Sequence, residues 1–246
     1  MDRSVYVAMT GAAQILRAQD AVSHNLANAS TVGFKGELSA FRSVPVLGGG
    51  APSRINVVAQ GIGQDQRQGA PIATGRPLDV AVRGPGWIAV QAADGTEGYT
   101  RAGSLQLTAD GQLTDANGDP VLGNSGPISL PDSAQVSIGH DGTISTVPKG
   151  QGPDTTATLD RIRLVNPDPS QLVQGDDGLM HMADGSQAPA SDEVTLDSGQ
   201  LEGSNVDPSA ELVRMISLSR QYDMQVKSIK SAEDDADAAN KLLQAS

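Results

Sequence analysis

The two ends of this chain carry apolar residues at alternating steps of three and four. Near the N-terminus the series is Val5, Ala8, Ala12, Ile15, Gln19, Val22, Leu26 and Ala29. Near the C-terminus it is Leu212, Met215, Ser219, Tyr222, Val226, Ile229, Glu233, Ala236, Asn240 and Leu243. That spacing lays a narrow stripe along a helix, and a stripe this narrow is covered by another helix rather than by a sheet. The middle of the chain has a different character, with short alternating segments and Asx-Gly turns. Such a chain is organised to be joined by its ends, not to enclose a pocket.

Composition limits what the middle can be. Aromatic residues make up only 2% of the chain, so its core must come from Val, Leu, Ile and Ala. That favours thin antiparallel sheets and helix seams over a deep ligand cavity. The net charge of -12 is carried almost wholly by the middle. Residues 1–31 balance Asp2 and Asp20 against Arg3 and Arg17, and residues 209–246 set six acids against five bases. An acidic surface disfavours nucleic acid and anionic lipid as partners. No apolar run approaches the roughly 18 residues of a membrane span, so no direct membrane insertion is expected. The chain has no cysteine, which excludes disulfides, thiolate chemistry and Cys-zinc sites. Ala27-Asn28-Ala29 has the form of a signal-cleavage site. However, the preceding stretch is broken by Thr10, Gly11, Gln14 and Arg17, so a retained amphipathic helix is expected instead.

The first helix is expected over Ser4–Ala29, capped by Ser4 and ended at Gly33 by a positive φ. From Phe34 to Pro77 the chain reads as an irregular, partly β-like connection rich in Gly, Pro and Gln, with Ile55-Asn56-Val57-Val58 its clearest strand-like piece. From Leu78 to Leu196 short alternating strands are punctuated by Asp94-Gly95, Asp110-Gly111, Asn117-Gly118, Asp141-Gly142, Asp177-Gly178 and Asp184-Gly185. Asx-Gly tolerates the two positive φ angles that a type I′ hairpin needs, so each is a candidate tight turn. The second helix opens at Asp207 or Ser209 with Pro208 in its first turn. The expected fold is α+β. Terminal helices (1–33 and 207–246) pair as a coiled-coil-like layer, 34–77 connects, and 78–206 forms an antiparallel all-β domain.

Catalytic readings find little support. His24, His140 and His181 are far apart, and none stands beside a second ligand at helical spacing. Asp115-x-Asn117-x-Asp119 opens like a calcium loop, but Pro120 and Gly126 stand where that loop needs Gly and Glu. Gly61-Ile62-Gly63 lacks its third glycine and a βαβ setting. No enzyme activity, cofactor or metal is expected.

Read as letters, Asn25-Leu26-Ala27-Asn28-Ala29-Ser30-Thr31-Val32-Gly33-Phe34-Lys35 resembles the N-L-A-N-x-x-T-x-G-[FY]-[KR] signature of the bacterial flagellar rod, hook and hook-associated family. Three further blocks are similar to that family: Leu78-Asp79-Val80-Ala81-Val82-x-Gly84-x-Gly86, Tyr99-Thr100-Arg101-x-Gly103, and Gly199-x-Leu201-Glu202-x-Ser204-Asn205-Val206. Trp87-Ile88 departs from the family's usual pair of phenylalanines. Length, the opening Met1-Asp2-Arg3 and the segment Ser219–Lys227 favour the F-type proximal-rod branch. The G-type distal-rod branch, a secreted filament or adhesin-like protein, and a carbohydrate-active β enzyme are the alternatives.

The resemblance implies a structural subunit of the basal-body rod. It would cross the periplasm, transmit torque from motor ring to hook, and be exported by the flagellar type III apparatus without a cleaved signal. Its partners would be copies of itself and the other proximal- and distal-rod subunits. The expected assembly interface comprises Val5, Ala8, Ala12, Ile15, Val22, Asn25, Leu26, Asn28, Phe34, Leu212, Met215, Tyr222, Val226 and Ile229. Asn25 and Asn28 are expected to fix register between helices, as a polar seam residue does in a coiled coil.

Overall fold

The N-terminal stripe folds as α1 (Arg3–Ala27) and the C-terminal one as α2 (Pro208–Gln244). A computed structural model describes residues 3–45, 55–131, 133–148 and 156–244. Two compact units emerge. The first is Met1–Ala29, Gly36–Asp65 and Val206–Ser246, and the second is Ser30–Lys35 with Gln66–Asn205.

In the first unit α1 and α2 pack against each other. Ser4 lies inside the first turn of α1, one residue beyond the observed start. Asp207 caps α2, its Oδ1 accepting from the Ser209 and Ala210 N–H groups at 2.9 and 3.3 Å, with Pro208 at the position where its missing N–H costs nothing. The stretch expected as an irregular connection contains a hairpin, β1 (Glu37–Pro45) on β2 (Ile55–Gln64). Its register runs from Glu37 opposite Gln64 to Pro45 opposite Ile55, with a shift between Leu38 and Ser39. Apolar alternation is weak along these strands, because Gly61, Gly63 and Gln60 interrupt it. What holds the ribbon is the helix pair, through polar contacts that no local pattern encodes.

In the second unit the described strand pairings are all antiparallel, with a 3-10 turn at Pro169–Gln171. Its largest sheet has the order β12 (Leu164–Val165), β5 (Trp87–Gln91), β6 (Glu97–Thr100), β14 (Met180–Met182), β13 (Leu172–Gln174). A second sheet joins β11 (Ala157–Arg161), β10 (Thr143–Pro148) and β9 (Ser133–Ile138). Three pairs complete it: β15 (Thr195–Ser198) on β4 (Val80–Arg83), β16 (Gln200–Glu202) on β3 (Pro71–Ala73), and β7 (Gln106–Leu107) on β8 (Leu113–Thr114). Strand β5 is buried on both faces. Ile88 and Val90 enter the main core with Leu105, Leu113, Ile144 and Leu196, while Trp87 and Ala89 join Tyr99, Val165 and Met180 in a second cluster. Tyr99 is fully buried, and its hydroxyl oxygen accepts from the Ala188 N–H at 2.8 Å.

The Asx-Gly pairs are tight turns, but not of type I′. No non-glycine residue has a positive φ among the described residues, so the two left-handed residues of a type I′ turn are absent. At Gly95 the N–H bonds back to the Ala92 carbonyl while the Ala92 N–H reaches Thr96. The same reciprocal pair recurs around Gly111, Gly118, Gly142 and Gly178. This is a three-residue loop, a type I turn followed by one left-handed glycine. At Asp94, Asp141 and Asp184 the carboxylate accepts from the N–H and hydroxyl of the Thr or Ser two residues on. That local bond ties the acidic residue to the following strand and leaves the left-handed position to glycine.

Two pH effects follow from these environments. The Thr143 hydroxyl and then its N–H hold the Asp141 carboxyl below its ordinary 3.8. A depressed folded value gives stability that is present above the unfolded pKa and lost as pH falls through the folded one. Thr143→Ala should therefore lower the melting temperature near neutral pH, and the difference from wild type should shrink well below pH 3.8. Burial pushes the Tyr99 hydroxyl from 10.0 up to about 12. A raised folded value gives stability that is complete below pH 10 and lost as pH climbs through 12. Melts of wild type should fall more steeply over that window than those of Tyr99→Phe; parallel curves would show that the hydroxyl is not dry.

Candidate assembly interface

The inner seam of the helix pair is short and made of small to medium side chains. Ile15, Ala18, Val22 and Leu218 form its buried centre, with Met215 and Tyr222 packed against them. The helices run antiparallel. The Asn25 Nδ2 approaches Glu211 Oε1 at 3.5 Å, while a Cβ at Gly11 would lie 3.4 Å from the Gln225 side chain. Ala12 is also buried, Val5, Ala8, Leu26 and Ile229 are half-buried, and Leu212 and Val226 are exposed at 48% and 44%. Phe34 is half-buried in the other unit. The seam thus brings Ile15 and Val22 together with Met215 and Tyr222 and leaves Leu212 and Val226 outside it. Ala18 and Leu218 stand one residue away from the Gln19 and Ser219 of the sequence series. A stripe kept strictly at 3.5 residues per turn drifts off a straight 3.6-residue helix within a few turns.

Three polar residues of the helices hold the hairpin. Asn25 grips the backbone of Glu37 from both sides: its Nδ2 donates to the Glu37 carbonyl at 2.9 Å, and its Oδ1 accepts the Glu37 N–H at 2.8 Å. The Gln14 Oε1 accepts from the Ala59 N–H at 2.9 Å. Arg214 Nη2 donates to the carbonyl and hydroxyl oxygens of Ser39, each at 3.1 Å. Asn25 therefore serves the start of β1 more closely than the register of the two helices. Asn28 donates to the His24 carbonyl at 3.0 Å, closing the end of its own helix.

Much apolar surface on these elements is left uncovered. On α1 it includes Tyr6, Met9 and Leu16, and on α2 Leu212, Val213, Ile216, Met224 and Val226. Val213 is 69% exposed and Met224 60%. On the hairpin, Phe41, Ile55 and Ile62 are exposed as well.

The second unit contains a polar centre that sequence reading passed over. Lys35, Arg101 and Glu202 are each at most 4% exposed. Lys35 Nζ lies 2.6 Å from Glu202 Oε1, and Arg101 Nη1 lies 2.7 Å from Glu202 Oε2. Lys35 Nζ also donates to the Arg67 carbonyl at 2.6 Å, and the Gly69 N–H donates to Glu202 Oε1 at 3.0 Å. Arg101 spends its remaining nitrogens on the Gly86 and Gly84 carbonyls, and its guanidinium sits 5.6 Å from the Trp87 ring centre. The Gly33 N–H donates to the Glu202 carbonyl at 2.7 Å. Gly33 has φ 71, and a Cβ there would fall 2.3 Å from the Arg101 carbonyl carbon. Only glycine fits, by conformation and by space. In the sequence Lys35, Arg101 and Glu202 were visible as letters in three separate motif blocks, and their charges were the signal that they meet.

The histidines have structural surroundings. His140 Nδ1 is 2.8 Å from the Leu196 carbonyl oxygen, His181 bridges Glu97 and Asp177, and His24 lies 4.0 Å from Glu37. Among the described residues no group of three or more His, Asp or Glu is placed to hold a metal ion, and no helix is long and apolar enough to cross a membrane.

Comparison with known proteins accounts for these blocks. Residues 5–35 match the family described as flagella basal body rod protein, residues 81–146 the flagellar hook protein FlgE/F/G D1 domain, and residues 197–242 the flagellar basal body rod FlgEFG protein C-terminal. The flagellar basal-body rod protein FlgF of Escherichia coli (strain K12) is 45% identical over 99% of both chains, and that of Salmonella typhimurium is 43% identical over the same share. The flagellar basal-body rod protein FlgG of Agrobacterium fabrum is 30% identical over 98% of this chain and 99% of its own. With its sequence aligned from end to end to F-type rod proteins at this identity, the chain belongs to the flagellar basal-body rod protein family, on its F-type branch, and is a structural subunit of the rod rather than an enzyme.

Proposed function

We propose that the chain, as a subunit of the proximal rod, polymerises through the outer faces of its terminal helices and carries torque from motor ring to hook across the periplasm. Its neighbours are copies of itself and the other proximal- and distal-rod subunits. It reaches them through the flagellar type III export apparatus without a cleaved signal. The terminal helical parts, 1–33 and 207–246, serve assembly as a coiled-coil-like layer.

The observation that carries this reading is the division of apolar residues on the helix pair. Ile15, Ala18 and Val22 of α1 and Leu218 of α2 are consumed within the chain, whereas Val213, Ile216 and Met224 of α2 are exposed. Apolar surface left in water costs about 25 cal/mol for each Å² that a neighbour could cover. Spread along a helix, it supplies contacts that propagate from subunit to subunit rather than closing on a pair. Leu212 and Val226, exposed in the single chain, belong to this outer set.

The inner and outer faces should respond differently to charge. Leu218→Asp places an unpaired carboxylate in the seam, at a cost of several kcal/mol, and should loosen the helix pair in the isolated chain. Val213→Asp with Ile216→Asp should leave helix content and melting of the isolated chain unchanged yet block rod completion. Circular dichroism of the purified variants, with swimming and basal-body recovery in cells lacking the native chain, checks both. Normal motility with the doubly substituted outer face would remove the outer face from assembly.

A further inference from the structure

Four passages of chain join the two units, after Ala29, Lys35, Asp65 and Asn205. Each enters the second unit within four residues of the same buried centre. The first reaches Gly33, whose N–H is held by the Glu202 carbonyl. The second leaves from Lys35 itself. The third arrives at Arg67 and Gly69, whose carbonyl and N–H are held by Lys35 and Glu202. The fourth departs just after Asn205, whose N–H donates to the Phe34 carbonyl at 3.3 Å and whose Nδ2 donates to the Arg67 carbonyl at 2.9 Å.

We infer that the buried Lys35–Glu202–Arg101 network is a mechanical clasp, which gathers the inter-unit passages at one point and anchors them to the core of the β unit. This rests on the reading of the chain as a torque-transmitting rod subunit. Load carried along the backbone from the helical unit enters the β unit only at these passages. A single strand pulled from its end loses hydrogen bonds one at a time. Passages tied to one residue and to each other share the load: Lys35 and Gly69 hold the Glu202 carboxylate, Gly33 holds the Glu202 backbone carbonyl, and Asn205 bonds Phe34 and Arg67. The carboxylate is braced behind them. Arg101 provides the brace, because its guanidinium fork bonds Glu202 and the carbonyls of Gly84 and Gly86 together. Trp87, beneath it, leads into buried strand β5.

Charge is the informative choice here. A buried ion pair is seldom more stabilising than apolar residues of the same volume. What it adds is direction. Short, charge-assisted bonds from a planar fork and an ammonium fix the carboxylate's position in a way that packing does not. Three charges buried at the convergence of four chain passages serve position more than stability.

The test separates a local clasp from an ordinary part of the core. In the full-length protein, Lys35→Met removes the ammonium and keeps an apolar stem. Amide exchange at Gly33, Gly69 and Asn205 should rise at least tenfold, while Leu113, Val121 and Ile128, bonded to one another in the core, should be unchanged. Leu113→Ala should show the opposite distribution. If Lys35→Met does not fold, Lys35→Gln, which keeps a donor for the Arg67 carbonyl, takes its place in the same comparison. In cells, the Lys35 variant should rotate a tethered bead normally at low viscous load and fail at high load, with Leu113→Ala equal to wild type at both. Exchange that rises uniformly across the β unit, or not at all at the three clasp amides, overturns the clasp. So does local release without any change in load dependence. Swimming by cells that lack the chain entirely would overturn the rod reading instead, whatever the exchange pattern.

Discussion

The Glu202 carboxylate is the point on which the β unit depends. It is the one anion against two buried cations, and it lies in a strand that also holds the chain leaving α1 through its own carbonyl. Neutralising it would leave the ammonium of Lys35 and the guanidinium of Arg101 dehydrated and unbalanced, a cost of several kcal/mol. The consequences would spread by direct contact: to Gly69 through its N–H, to the Gly84–Gly86 turn through Arg101, and to β5 through Trp87. Gly33 belongs to the same arrangement, since the chain leaving α1 can lie against the Arg101 backbone only where no Cβ intervenes. The N-terminal signature therefore has a physical content. Its asparagine starts the hairpin, its glycine allows the close approach, and its lysine completes the ion network.

Local patterns were legible and distant ones were not. Ile15 and Val22 were readable as seam residues because period and apolarity agree over several turns. The turns at Gly95, Gly111, Gly118, Gly142 and Gly178 were readable as turns because Asx-Gly has few other uses between short apolar strands. Their type was not, because the loop length is set by which flanking residues pair, a matter of strand register. The slip from Ser219 to Leu218 reflects helix phase, which drifts by about 20° per heptad against a strict seven-residue repeat. The hairpin was hidden in a glycine- and glutamine-rich stretch because its support is tertiary: Gln14, Asn25 and Arg214 reach it from two helices far apart in sequence. Lys35, Arg101 and Glu202 were present in the motifs as letters, but a salt bridge spanning 167 residues leaves no periodicity behind.

The thinness of the helical seam has its own consequence. Ala12 and Ala18 let the helices approach closely but bury little area, and α2, with 37 residues against the 25 of α1, runs about 18 Å longer at 1.5 Å per residue. Helices of this kind draw most of their stability from neighbours rather than from propensity. The pair is then only partly satisfied by itself. Its remaining demand is directed outward through Val213, Ile216 and Met224, the face that the proposed assembly would cover.

The two units thus use opposite physics for related ends. In the helical unit the uncovered side chains of Val213, Ile216 and Met224 are apolar, and apolar contact is tolerant of angle and small displacement. A rod subunit that assembles with other rod components benefits from that tolerance, since it need not meet every neighbour in identical geometry. In the β unit the decisive groups are charged, buried and matched atom for atom, and such groups permit very little displacement before a lone pair or a proton is left without a partner. On the proposed reading, placing the tolerant chemistry on the outer helix faces and the exacting chemistry where the chain passes between units lets neighbours vary while the anchorage within each subunit does not. Exchanging the two would give a subunit that accepts only one neighbour and yields internally under load.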